Sequence, residues 1–93
     1  MKHTIKVQQK HINAARKAIS AGCKRCNFCP VALALCEHFN IHPINDDEAP
    51  IWTVDYMAMI NGANIYLPDR AGRFIRDFDQ DQPVKRFQFT INV

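Results

Sequence analysis

The segment that most constrains the fold is Cys29-Pro30 followed by the apolar run from Val31 to Cys36. Proline suits the first turn of a helix, because the N–H that it lacks would have no intrahelical partner there. Val31, Leu35 and Phe39 recur at i, i+4 and i+8, and the residues between them leave almost no polar face. Since a helix that is apolar nearly all round is buried, we predict a central helix from Val31 to about Phe39.

Other helices and strands follow from hydrophobic periodicity. Two further helices are predicted, from Gln9 to Ala21 with Gly22 as its stop signal, and from Pro68 to about Asp79. Strands are predicted over Thr4–Val7, Ile51–Ile60, Ala63–Leu67 and Arg86–Val93, with a tight hairpin turn at Asn61-Gly62. In the last strand the apolar residues share one face: Phe87, Phe89, Ile91 and Val93.

This succession predicts an α+β fold in the order β-α-α-β-β-α-β. We expect one domain over residues 1–93, with the helices packed on one face of a small, mostly antiparallel sheet. Hydrophobic residues make up 47% and charged residues 23% of the chain, which is typical of a folded globular protein. No apolar run reaches the roughly 18 residues that a membrane span needs, and the first residues are polar. We therefore expect a cytoplasmic protein with no membrane partner.

Charge is divided unevenly along the chain. Residues 1–38 contain seven Lys or Arg and one acid, Glu37, whereas residues 39–93 contain five Lys or Arg and eight acids. A basic N-terminal half favours an acidic partner or a nucleic acid, and a solvated basic helix face is the alternative. The candidate partner-binding residues are Lys10, Arg16, Lys17, Lys24 and Arg25, with Lys6 as a further phosphate contact.

Four cysteines lie close together, at positions 23, 26, 29 and 36. A zinc ion needs four ligands whose sulfur atoms lie about 4 Å apart. Seven residues of helical rise separate Cys36 from Cys29 by roughly 10 Å, so Cys36 is expected in the core. A zinc site at Cys23, Cys26 and Cys29 would need a distant histidine, His3 or His11. We expect no cofactor, with zinc as the alternative.

Redox chemistry is a second alternative for the cysteines. Cys26 and Cys29 form a CxxC motif, and Cys29 stands at a helix N-terminus, where the helix dipole lowers a thiol pKa. In thioredoxin-like proteins the first cysteine of the motif takes that position, whereas here the second does. The structural interpretation is that Cys29 caps the central helix. The chain has no glycine-rich phosphate loop and no GxSxG motif, so we expect a protein that is not an enzyme.

Several segments together suggest a family. Cys26-x-x-Cys29-Pro-Val-Ala-Leu-Ala-Leu, Ile65-x-Leu-Pro, Phe74-Ile-Arg-x-Phe-Asp79 and Pro83-Val-x-x-Phe-x-Phe89 resemble a set of small, largely uncharacterised proteins encoded by bacteriophages. The resemblance implies a phage origin and an accessory protein that binds, and inhibits or modulates, a host protein such as a defence system or the transcription machinery. A nucleic-acid-binding module and a zinc- or thiol-dependent protein are the alternatives. An exposed sheet edge would also allow a homodimer.

Overall fold

The computed structural model describes residues 1–23, 28–41, 51–54 and 56–92. Its elements are β1 (Lys2–Val7), α1 (Gln9–Ser20), α2 (Pro30–His38), β2 (Ile51–Val54), β3 (Met57–Ile60), β4 (Ala63–Tyr66), α3 (Asp69–Asp79) and β5 (Phe87–Asn92). The α+β class and the predicted order are confirmed, with one difference between residues 51 and 60. The acidic segment 42–50 lies outside the described residues.

Helix α2 lies at the centre of the molecule, as its sequence predicts. Val31, Ala32 and Leu35 are completely buried. The helix packs against α1, α3, β1 and β2, so four elements share its apolar surface. None of the helices in the described ranges is both long enough and apolar enough to cross a membrane.

The described strands form two antiparallel sheets. β1 pairs with β5, while β2, β3 and β4 form a three-stranded meander in that order. The prediction of one strand from Ile51 to Ile60 is wrong, because Ile51 pairs with Ile60 and Val54 with Met57. The chain therefore reverses between Val54 and Met57, where no glycine or proline signals a turn.

The predicted Asn61-Gly62 turn is confirmed. Both residues have positive φ angles, +49° and +88°, and they join the paired residues Ile60 and Ala63. Two successive positive φ angles match the right-handed twist of a two-residue hairpin. Asparagine and glycine tolerate this conformation better than other residues do.

The three helices that the structure describes end in the same way. Gly22, Asn40 and Asp81 follow the C-caps with φ angles of +98°, +56° and +57°. After α1, the N–H of Gly22 bonds to the carbonyl of Ile19 and that of Cys23 bonds to Ala18. The same pair of bonds follows α2 and α3, which makes each end a Schellman motif. Gly22 is therefore the stop that the sequence predicts.

Candidate functional site

The first and last strands form a two-stranded ribbon, which we call the β1–β5 ribbon. Its six pairs run in continuous register from Lys2 opposite Asn92 to Val7 opposite Phe87. The inward side chains Ile5, Val7, Phe89 and Ile91 are at most 3% exposed. Burial of one side fixes the register, because a slip of one residue would turn every side chain to the other face.

The opposite side of the ribbon is exposed and carries hydrogen-bonding residues throughout. We call it the ribbon face, and it consists of Lys2, Thr4, Lys6, Gln88, Thr90 and Asn92. In cross-strand rows, Lys2 lies opposite Asn92, Thr4 opposite Thr90 and Lys6 opposite Gln88. No acidic or aromatic side chain belongs to this set. Neither lysine forms an ion pair with any residue that the structure describes.

Positive charge continues beyond one end of the ribbon face. Lys85 and Arg86 are both exposed and immediately precede β5. Arg86 and Lys6 line one cleft of about 260 Å³, together with Gln8 and Gln88. Four cationic side chains therefore lie on or beside the ribbon, which creates a positive potential toward an approaching polyanion.

The acid of the N-terminal half, Glu37, is held by two basic groups. Lys10 Nζ lies 2.9 Å from Glu37 Oε1, and His11 Nε2 lies 2.8 Å from Oε2. The hydrogen bonds from Lys10 and His11 lower the pKa of the Glu37 carboxyl. Lys10, a predicted partner-binding residue, is therefore engaged within the protein, and its charge offsets that of Glu37.

The other predicted partner-binding residues do not lie on the ribbon face. Arg16 and Lys17 are exposed on α1, and Arg16 lines a cleft of about 280 Å³ with Phe78 and Asp81. Lys24 and Arg25 lie outside the described residues. Of the basic residues singled out from the sequence, Lys6 is therefore the one on the ribbon face.

Both histidines considered as distant zinc ligands have partners inside the fold. His11 is 5% exposed. Its Nδ1 accepts the backbone N–H of Gln8 at 2.9 Å, which leaves Nε2 to donate to Glu37. His3 Nδ1 lies 3.0 Å from His38 Nε2 at hydrogen-bonding distance. Within the described ranges, no three potential metal ligands come together.

The cysteines of the predicted loop lie in different environments. Cys23 is half-buried and Cys36 is buried, and burial raises the pKa of the Cys36 thiol to about 11. The expectation that Cys36 packs in the core is confirmed. Cys26 lies outside the described residues, so the structure does not place the full Cys23, Cys26 and Cys29 set.

Cys29 caps α2, and its thiol has a raised pKa, whereas an activated thiol has a lowered one. Its Sγ accepts the backbone N–H of Ala32 at 3.4 Å and shares a hydrogen bond with Thr53 Oγ1 at 2.9 Å. Desolvation raises the pKa of Cys29 to about 11, although both hydrogen bonds act to lower it. The expectation of a lowered pKa at the helix N-terminus is wrong, because burial of the thiolate outweighs the stabilisation that the helix end provides.

A second exposed feature lies between the meander and α3. Tyr56 and Tyr66 are 62% and 78% exposed. Tyr56 lines a cleft of about 460 Å³ with Arg73 and Arg76 from the outer side of α3. Tyrosine and arginine are among the side chains enriched at the energetic centres of protein interfaces.

Comparison with protein-family models, with curated proteins and with solved structures finds no match to this chain. The resemblance to phage proteins stays a prediction. Sequence reasoning missed the ribbon face, because its residues come from strands whose pairing the sequence does not reveal. The alternation of polar and apolar residues in both strands, together with the absence of acids from residues 1–7 and 85–92, was the available signal.

Proposed function

We propose that this protein acts by binding, and that its partner is a nucleic acid that contacts the ribbon face. The observation that carries the proposal is a ribbon whose exposed side offers lysines, hydroxyls and amides with no acidic side chain among them. Such groups form most contacts to nucleic-acid phosphates and sugars. Lys85 and Arg86 extend the same positive surface.

Binding should depend steeply on salt, because each neutralised phosphate releases condensed counterions. We expect the logarithm of the association constant to fall linearly with the logarithm of salt concentration. Each lysine that contacts a phosphate of duplex DNA contributes about 0.9 to that slope. Fluorescence anisotropy with a labelled oligonucleotide between about 50 and 200 mM salt measures it.

Two double variants with equal loss of charge separate the ribbon face from net charge. Lys2→Gln with Lys6→Gln removes the two ribbon lysines. Arg16→Gln with Lys17→Gln removes two charges from α1 and serves as the matched control. The ribbon variant should weaken binding and reduce the slope by about 2, whereas the control should change both much less. Equal effects of the two variants would exclude the ribbon face as the site, and no binding at low salt would exclude the function.

A protein partner is the second candidate function. Tyr56 exposes aromatic surface in the cleft that Arg73 and Arg76 line, and Tyr66 is also exposed, which favours a protein interface at this surface. A host protein, as the phage resemblance implies, would be recovered with the wild-type chain as bait. The same recovery should fail with a Tyr56→Ser, Tyr66→Ser double variant and persist with the ribbon variant. Equal recovery by the tyrosine variant would refute this candidate surface.

A further inference from the structure

We infer that the ribbon face enters the major groove of double-stranded B-form DNA and contacts base edges there. The inference rests on the proposed function and names its substrate class. It follows from the dimensions of the ribbon, from the chemistry of its six outward side chains, and from their arrangement in rows.

The dimensions of the ribbon match one groove. Neighbouring strands lie about 4.8 Å apart, and six residues of strand extend for roughly 20 Å. The major groove of B-form DNA, about 12 Å wide, admits a two-stranded ribbon with its side chains, whereas the minor groove is about 6 Å wide. The major groove of A-form RNA is too deep and narrow for side chains to reach the bases. The shape therefore favours duplex DNA over duplex RNA.

The outward side chains are the types that distinguish base pairs in that groove. Lysine donates hydrogen bonds to the O6 and N7 atoms of guanine. A single glutamine or asparagine side chain forms two hydrogen bonds to adenine, and threonine contacts the methyl group of thymine. The ribbon face has no aromatic side chain, so it lacks the stacking surfaces by which proteins hold unpaired bases. This composition favours a duplex over a single strand.

The arrangement of the rows predicts an asymmetric target. Lys2 and Lys6 are both on β1, whereas Gln88 and Asn92 are both on β5. A rotation of 180° about the centre of the ribbon places lysines where the amides were, so the ribbon face has no two-fold symmetry. The two outer rows are four residues apart, or about 13 Å, which spans about four base-pair steps of 3.4 Å. One ribbon should therefore read a short, non-palindromic site.

The two amides differ in their freedom to contact a base. Asn92 Oδ1 accepts a hydrogen bond from the Met1 amino group at 3.1 Å, whereas no hydrogen bond engages the Gln88 side chain within the described part of the chain. Gln88 is therefore the residue to test for base contact. Lys85, beyond the paired strands, serves as the matched residue expected to contact phosphate.

The first experiment compares 20-base-pair duplex DNA, the corresponding single strand and duplex RNA of the same sequence by anisotropy at one salt concentration. Duplex DNA should bind at least about 10-fold more tightly than either competitor, since one good base contact alone provides about 5- to 150-fold discrimination. If a single strand or duplex RNA binds as tightly as duplex DNA, the major-groove inference is overturned and the proposed function stands. If no nucleic acid binds, both fail.

The second experiment tests base contact directly. Selection from a random duplex library should return a short asymmetric motif containing guanine and adenine. Gln88→Ala should flatten the motif at one position, whereas Lys85→Gln should weaken binding to all sequences alike and lower the salt slope by about 1. Replacing the purines of the selected site with 7-deazapurines, which lack the N7 acceptor of the major groove, should reduce affinity for the wild type. A library that returns no motif, or full affinity for the 7-deaza site, would overturn the inference.

Discussion

The hydrogen bond between Cys29 and Thr53 joins the start of the central helix to the first strand of the meander, and its removal should cost a measurable part of the stability. Cys29→Ala removes the cap of α2, which is worth about 1 kcal/mol. It also leaves the Thr53 hydroxyl, 2% exposed, without this partner, at a cost of about 1–3 kcal/mol. We therefore expect a loss of roughly 2–4 kcal/mol in the free energy of unfolding.

Cys29→Ser is the matched control for that substitution. A serine hydroxyl accepts the Ala32 N–H and bonds to Thr53 as the thiol does, and serine is a preferred N-cap residue. Its free energy of unfolding should lie within about 1 kcal/mol of the wild type. A Thr53→Val substitution in the Cys29→Ala background removes the orphaned hydroxyl, so the double variant should be less destabilised than the two single losses added together.

Urea denaturation followed by circular dichroism measures the wild type, Cys29→Ala, Cys29→Ser, Thr53→Val and the double variant, provided that the denaturant slope is the same for each. The expected coupling between positions 29 and 53 is about 0.5–3 kcal/mol. Equal stability of the alanine and serine variants would refute the role of the hydrogen bonds. Strict additivity in the double variant would refute the direct link between the two side chains.

Three further predictions concern the thiols, a helix end and the ion pairs of Glu37. Native Cys29 has a pKa of about 11 in place of the ordinary 9.0, so at about pH 8 its thiolate should be roughly 100-fold less populated than that of a free cysteine. Mass spectrometry after brief alkylation should therefore find Cys23 labelled well before Cys29. Equal labelling would contradict the burial of Cys29. Asn40→Gly should raise the free energy of unfolding by about 0.5 kcal/mol in urea denaturation, because the left-handed conformation at φ +56° costs an asparagine more than a glycine. A loss of stability would contradict this strain. The pKa of Glu37 is lowered in the folded state from its ordinary value of 4.5. The carboxylate therefore contributes fully to the free energy of unfolding above that value, and the contribution is lost as the pH falls through the folded-state pKa. The stability difference between the wild type and Glu37→Gln should shrink on acidification, and a difference that is constant with pH would refute the ion pairs.

Local signals predicted the elements of the fold well, because they depend on neighbouring residues alone. The apolar run after Pro30 indicates a buried helix, and Asn61-Gly62 indicates a hairpin, in each case without knowledge of the rest of the chain. The turn between Val54 and Met57 was missed since β-branched and aromatic residues continue through the segment and favour a single strand. Which strand pairs with β5 depends on contacts distant in sequence, and periodicity carries no information about them.

The site was less predictable than the fold for the same physical reason. The charge distribution predicted a site in the N-terminal half, but only the folded structure shows that Lys10 is paired with Glu37 while Lys6 forms no ion pair with any described residue. The pKa of Cys29 is raised on folding, because desolvation in the core outweighs the hydrogen bonds from Thr53 and Ala32, which act to lower it. The position of Cys29 in the CxxC motif could not reveal that folding would remove its thiol from water.

The pairing of β1 with β5 sets the order of events when the chain is synthesised. A ribosome adds about 5–20 residues per second, so on the order of ten seconds separate the appearance of Val7 from that of its partner Phe87. Ile5 and Val7 must remain without that strand throughout the interval, and pairings between such distant segments also form slowly. Because the ribbon face needs both strands, a nascent chain that stops before β5 would lack it. The proposed DNA-binding surface therefore forms only after β5 has been synthesised.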